Sequence, residues 1–135
     1  AQEGSHLNDV SAAIEDVAVG DGFSVVREFV GHGIGRRMHE EPQIPNFRQR
    51  DKGPRLRAGM TLAIEPMVNM GSAGVEVQDD GWTVLTKDRQ MSAHFEHTIA
   101  ITKDGPVRLT AAPVTDEEKA DLPDWLVDDS NWVTW

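Results

Sequence analysis

GHGIGRRMHEEP, residues 31–42, holds two histidines, two adjacent glutamates and three glycines. His32 lies between Gly31 and Gly33, where a backbone without Cβ atoms can bend sharply and approach other groups closely. His39 follows seven residues later, just ahead of Glu40, Glu41 and the stiffening ring of Pro42. A single histidine is more often a satisfied polar residue than a ligand. The meaning of the stretch therefore depends on which side chains elsewhere in the chain turn towards it.

Two segments downstream supply candidates. GMTLAIEPMV (59–68) reads as a buried strand stopped by Pro66. Period-two alternation puts Met60, Leu62 and Ile64 on one face and Thr61, Ala63 and Glu65 on the other. A glutamate in an otherwise apolar strand is costly to bury unless something positive meets it, with an arginine partner or solvent as the plain alternatives. SAHFEHTIAIT (92–102) repeats the pattern. Glu96 shares a face with His94, Thr98 and Ala100, while Phe95, His97, Ile99 and Ile101 point the other way. Small neighbours leave space for an ion and its water. One imidazole and two carboxylates from a loop and two strands suit a catalytic metal site. His39 is placed for a different task, as a neutral imidazole donating to a developing oxyanion or moving a proton. Glu40 and Glu41 orient it or face solvent.

The rest of the chain supplies the frame. Leu7, Val10, Ile14 and Val17 recur at helical spacing, so residues 6–20 are expected to form an amphipathic helix capped by Ser5 and ended by Gly20 and Gly22. FSVVREFV (23–30) reads as a strand, GHGIG and the proline-punctuated PQIPNF as loop, and VEVQDDGWTVLT (75–86) as a hairpin turning at Asp80–Gly81. These elements predict an α+β architecture, with a curved antiparallel sheet and helices on its outer face. Residues 111–135 differ in character. They are acidic and carry Trp125, Trp132 and Trp135. Indoles are costly to leave in water, so this tail is expected to dock on an apolar surface of this chain or of a partner.

Composition excludes several classes. The 135 residues fit one ordinary domain or part of a larger one, and 39% apolar content is enough for a core. The absence of cysteine removes disulfides and thiolate metal sites. A net charge of −10 argues against a nucleic-acid surface. No apolar run approaches a membrane span and the first residues do not read as a signal peptide, so no membrane association and a cytoplasmic location are expected.

Taken together, GHGIGRRMHEEPQIPNF, GMTLAIEPMV and DGWTVLTKDRQMSAHFEHTIAIT resemble the methionine aminopeptidases of bacterial type. The likeness runs from about Gly4 to Thr110. It implies a catalytic unit over residues 1–110, the C-terminal half of the pita-bread fold shared with creatinase, followed by the tail at 111–135. It further implies that His32, Glu65 and Glu96 are metal ligands, with Glu96 bridging two divalent ions (Co, Mn, Fe or Zn). By the same likeness His39 contacts the substrate near the scissile carbonyl, Glu65 takes a proton during catalysis, and Met38 and Trp82 line the methionine pocket. The implied reaction removes the N-terminal methionine of nascent polypeptides.

In that family two aspartate ligands and another histidine precede the helix that begins here near His6. Asp79, Asp80, Asp88 and Asp104 share no strand face with the two glutamates and take no metal role. The expectation is therefore a fragment that needs the missing N-terminal half of the enzyme. The contrasting reading is a non-catalytic peptide-binding or assembly module that keeps the fold.

Overall fold

The computed structural model describes residues 1–111, so the expectation for the tryptophan-rich tail lies outside the described residues. One helix and ten short strands are present among them: α1 (Leu7–Gly20), β1 (Ser24–Val25), β2 (Gly31–Gly33), β3 (Glu40–Ile44), β4 (Thr61–Ile64), β5 (Met67–Asn69), β6 (Val75–Val77), β7 (Val84–Thr86), β8 (Ser92–His94), β9 (His97–Thr102) and β10 (Gly105–Arg108). All pairings are antiparallel. They form a five-stranded sheet ordered β10-β9-β4-β2-β3, a three-stranded sheet ordered β1-β5-β8, and the β6-β7 hairpin.

The alternation read from the sequence sorts the five-stranded sheet into two chemically distinct faces. Leu62 of β4, Ile101 of β9 and Ile44 of β3 join Leu7, Val10 and Leu56 in the buried core, with Ile14, Ile64 and Ile99 packed against it. Helix α1 thus covers the apolar face. Its buried stripe includes Ser11 and Ala18, while Val17 is about half exposed, so the stripe is centred slightly away from the expected Val17. At the helix start the expected cap at Ser5 gives way to His6. The Asp9 carboxylate accepts from the His6 backbone N–H at 2.7 Å, whereas the Ser5 hydroxyl donates to the Gln2 carbonyl. Arg48 Nη2 donates to both oxygens of the Asp16 carboxylate, at 2.8 and 2.7 Å. Arg27 bonds Glu15 at 2.8 Å and lies over the Phe47 ring, tying the helix to the loop after β3.

Three expectations change. The GHG stretch is strand β2, hydrogen-bonded on both sides, and its glycines do not adopt positive φ. Close approach explains them. A Cβ on Gly31 would come 2.3 Å from the Ala63 carbonyl oxygen, and one on Gly33 would come 2.2 Å from that of Glu41. The expected loop after it is partly strand too, because EEPQI pairs with β2 across a bulge at His32 and Gly33. FSVVREFV contributes only the short β1 and then passes between the two larger sheets. The hairpin forms as expected, closed by Gln78 donating to Thr83 at 2.8 Å, with Gly81 at φ +69° and Asp80 accepting from the Trp82 and Thr83 backbone.

Candidate metal centre

The two glutamates are brought together by a break in one long strand pairing. Ile64 of β4 lies opposite His97 of β9, and Met67 of β5 lies opposite His94 of β8. The register is the same on both sides, so the intervening Glu65 faces Glu96 and Pro66 faces Phe95. Proline has no N–H to donate, and regular pairing lapses there. The Phe95 N–H still reaches the Pro66 carbonyl at 3.2 Å. Two carboxylates therefore oppose each other where the five-stranded sheet hands over to the three-stranded one.

His32 completes the group from β2. It pairs with Ala63, which pairs in turn with Thr98. Its ring thus lies on the same face as Thr61, Ala63 and Glu65, one diagonal step from the glutamates. One ligand atom each from His32, Glu65 and Glu96 fall within 4.8 Å of one another. His32 Nε2 is 3.2 Å from Glu65 Oε1, and both side chains are largely shielded from solvent.

The hydrogen bonding around His32 decides which nitrogen is offered. Nδ1 lies 2.9 Å from the Gly33 carbonyl oxygen, which can only accept, so Nδ1 carries the proton. In its metal-binding form a ring held this way would present the Nε2 lone pair towards the Glu65 carboxylate. Nε2 faces Glu65 Oε1 at 3.2 Å with the Glu96 carboxylate alongside, a donor set that a cation between them would satisfy. Donors around one ion with bonds near 2.1 Å sit about 3.0–3.4 Å apart. The His32–Glu65 spacing matches that range, and the residues fit a divalent ion of borderline or hard character.

The remaining candidates divide. His39 is brought in: its ring centroid is 4.2 Å from that of His32, tilted by 46°. Met38 and Trp82 are 72% and 88% exposed, and nothing within the described residues buries them. Asp80 and Asp88 act locally, accepting from turn N–H groups.

One residue given no role on sequence grounds joins the group. His94 Nε2 stands 3.4 Å from Glu65 Oε2, so Glu65 lies between two imidazoles. Its position two residues before Glu96, on the same strand face, was the available signal.

Comparison with known proteins places the chain in a family. A sequence model of metallopeptidase family M24 matches residues 1–103. The chain belongs to metallopeptidase family M24. It is 58% identical over 106 residues to the methionine aminopeptidase of Clostridium perfringens, a match covering 78% of this chain and 43% of that protein. It is 55% identical over 105 residues to methionine aminopeptidase 1 of Bacillus subtilis, covering 78% and 42%. Among solved structures, the methionine aminopeptidase of Thermotoga maritima superposes with a TM-score of 0.80 at 51% identity, over 83% of this chain and 45% of that one. A prolidase from Pyrococcus horikoshii superposes with a TM-score of 0.56 at 25% identity, over 84% and 27%. The fold is accordingly part of the pita-bread architecture, and this M24 chain spans a little over two-fifths of the curated relatives it matches. No helix among the described residues is long and apolar enough to cross a membrane.

Proposed function

We propose that this chain carries the His/Glu/Glu portion of the metal centre of an aminopeptidase that removes N-terminal methionine from nascent polypeptides in the cytoplasm. The observation that carries the reading is the confrontation of Glu65 and Glu96 across the β4–β5 and β8–β9 break, with His32 Nε2 3.2 Å from Glu65 Oε1 and one ligand atom of each of the three within 4.8 Å of the others. His32, Glu65 and Glu96 would hold divalent ions (Co, Mn, Fe or Zn), two of them once the aspartates expected from the remainder of the fold are in place. Such a pair supplies an acidified water and positive charge beside the scissile carbonyl.

The chain's own residues have separate tasks. Glu65, hydrogen-bonding distance from two imidazoles, is the carboxylate placed to accept a proton at the reacting centre. His39, its ring tilted against that of His32 on an exposed loop, donates towards the substrate carbonyl oxygen as negative charge develops there. Met38 and Trp82 form apolar walls for an unbranched thioether side chain once a substrate or a neighbouring segment covers them.

The test is turnover of a Met-initiated peptide with added Mn²⁺ or Co²⁺, by this chain alone and by a protein that also holds the segment completing the relatives' fold. We expect activity from the second only, and loss of it in Glu65→Gln. Robust turnover by residues 1–135 alone would refute the need for a complementing half. Peptide binding without hydrolysis by the completed protein would favour the non-catalytic module.

A further inference from the structure

Glu65 is held from behind as well as in front. The carbonyls of β4 and β5 alternate between the two flanking edges. On the edge facing β8 and β9, Pro66 accepts from Phe95. On the opposite edge Met67 accepts from the Val26 N–H at 3.0 Å, beside β1, and β4 pairs with β2 as far as Ala63. The Glu65 carbonyl points to this same edge. It falls between β1 and β2, where the chain is crossing from one sheet to the other. Its donor is the side chain of Asn46, whose Nδ2 lies 3.4 Å away.

Asn46 is completely buried. Its Oδ1 is, among the described residues, the one buried side-chain oxygen or nitrogen without a hydrogen-bond partner. An orphaned acceptor in the interior is unfavourable, and a leucine of similar volume would avoid it. An amide at this position is therefore explained by what its N–H does.

We infer that Asn46 is a positioning residue for Glu65. Its amide supplies the missing rung between the two sheets, fixes the Glu65 carbonyl, and so sets the aim of the Glu65 carboxylate towards His32 and Glu96. The inference rests on the proposed reading of those three residues as cation ligands. Groups that fix a ligand's orientation typically change metal affinity 10- to 100-fold when removed.

The experiment compares Asn46→Leu and the milder Asn46→Ser with a core variant away from the centre, Leu56→Ala, in the full-length protein. Three quantities are measured: the Kd for Mn²⁺, the visible absorption band of the Co²⁺ form, and the thermal midpoint of the metal-free protein. In the metal-free protein the ¹³C resonance of the Glu65 carbonyl is followed as well. We expect both Asn46 variants to weaken Mn²⁺ binding 10- to 100-fold, alter the Co²⁺ band and move the Glu65 carbonyl resonance. Leu56→Ala should lower the midpoint while leaving Kd and band unchanged. If Asn46→Leu does not fold, Asn46→Ser decides. An Asn46 variant with wild-type Kd and band would overturn the inference, as would Leu56→Ala weakening binding equally. A wild-type protein that binds no Mn²⁺ would instead overturn the reading of the centre itself, and this inference with it.

Discussion

Replacing Gly31 by alanine puts one methyl group where β2 lies flush against β4. The new Cβ would sit 2.3 Å from the Ala63 carbonyl oxygen and 3.3 Å from Ile44 Cβ, and neither the backbone oxygen nor the buried isoleucine can swing aside. The strands must part by roughly 0.7 Å or more before the contact becomes tolerable. Overpacking of this kind costs about 1–3 kcal/mol. The entropy that alanine removes from the unfolded chain returns only about 0.4–1 kcal/mol. We expect a net loss of roughly 1–2 kcal/mol, which for a chain of this size lowers the thermal midpoint by about 4–8 °C.

The consequence for the centre should be larger than the loss of stability suggests. His32 follows Gly31 directly and pairs with Ala63, so parting β2 from β4 opens the 3.2 Å gap between His32 Nε2 and Glu65 Oε1. Metal–ligand distances tolerate only about 0.2 Å, so Mn²⁺ affinity should fall at least about tenfold. Gly20→Ala is the control, because a Cβ there meets nothing within 4 Å and the residue ends a helix without positive φ. Calorimetric melting and Mn²⁺ titration of the three proteins provide the comparison. A Gly31→Ala protein as stable and as tightly binding as the parent would refute the close-approach argument.

Further outcomes can be checked alongside it. Glu96→Gln keeps the side chain's size but halves the charge of the opposed pair, so the rise in melting temperature produced by Mn²⁺ should shrink by more than half; an undiminished rise would remove Glu96 from the centre. Leu62→Ala should cost about 2–5 kcal/mol in urea unfolding, because the side chain is fully buried beneath the site-bearing strand. The Asp80 carboxyl is held below its ordinary range by hydrogen bonds from the Thr83 hydroxyl and the Trp82 and Thr83 backbone. Its contribution is therefore present above the unfolded value near 3.9 and lost as pH falls through the lower folded value. The Trp82 and Thr83 amide signals should titrate in that acid window, and Asp80→Asn should abolish the transition.

Much of this was legible before any coordinates. Period-two alternation in 59–68 and 92–102 separates Leu62, Ile64, Ile99 and Ile101 from Glu65 and Glu96, and the two faces of the sheet follow that division. What alternation within one strand cannot supply is register between strands. That Glu65 faces Glu96 depends on pairings settled by packing over the whole sheet. The GHG stretch reads as loop from sequence because glycine normally marks freedom of φ. Here the same missing Cβ serves close strand packing, and nothing local distinguishes the two uses. Asn46 was invisible for a related reason. Its partner is a backbone carbonyl nineteen positions away, and its neighbours Pro45 and Phe47 suggest only a loop.

The most direct test of the centre is an anomalous-difference map from crystals of the full-length protein grown with Mn²⁺. We expect a peak about 2 Å from His32 Nε2 and from carboxylate oxygens of both Glu65 and Glu96. Ordered side chains at those three positions with no peak between them, or a peak bound by other residues, would contradict it.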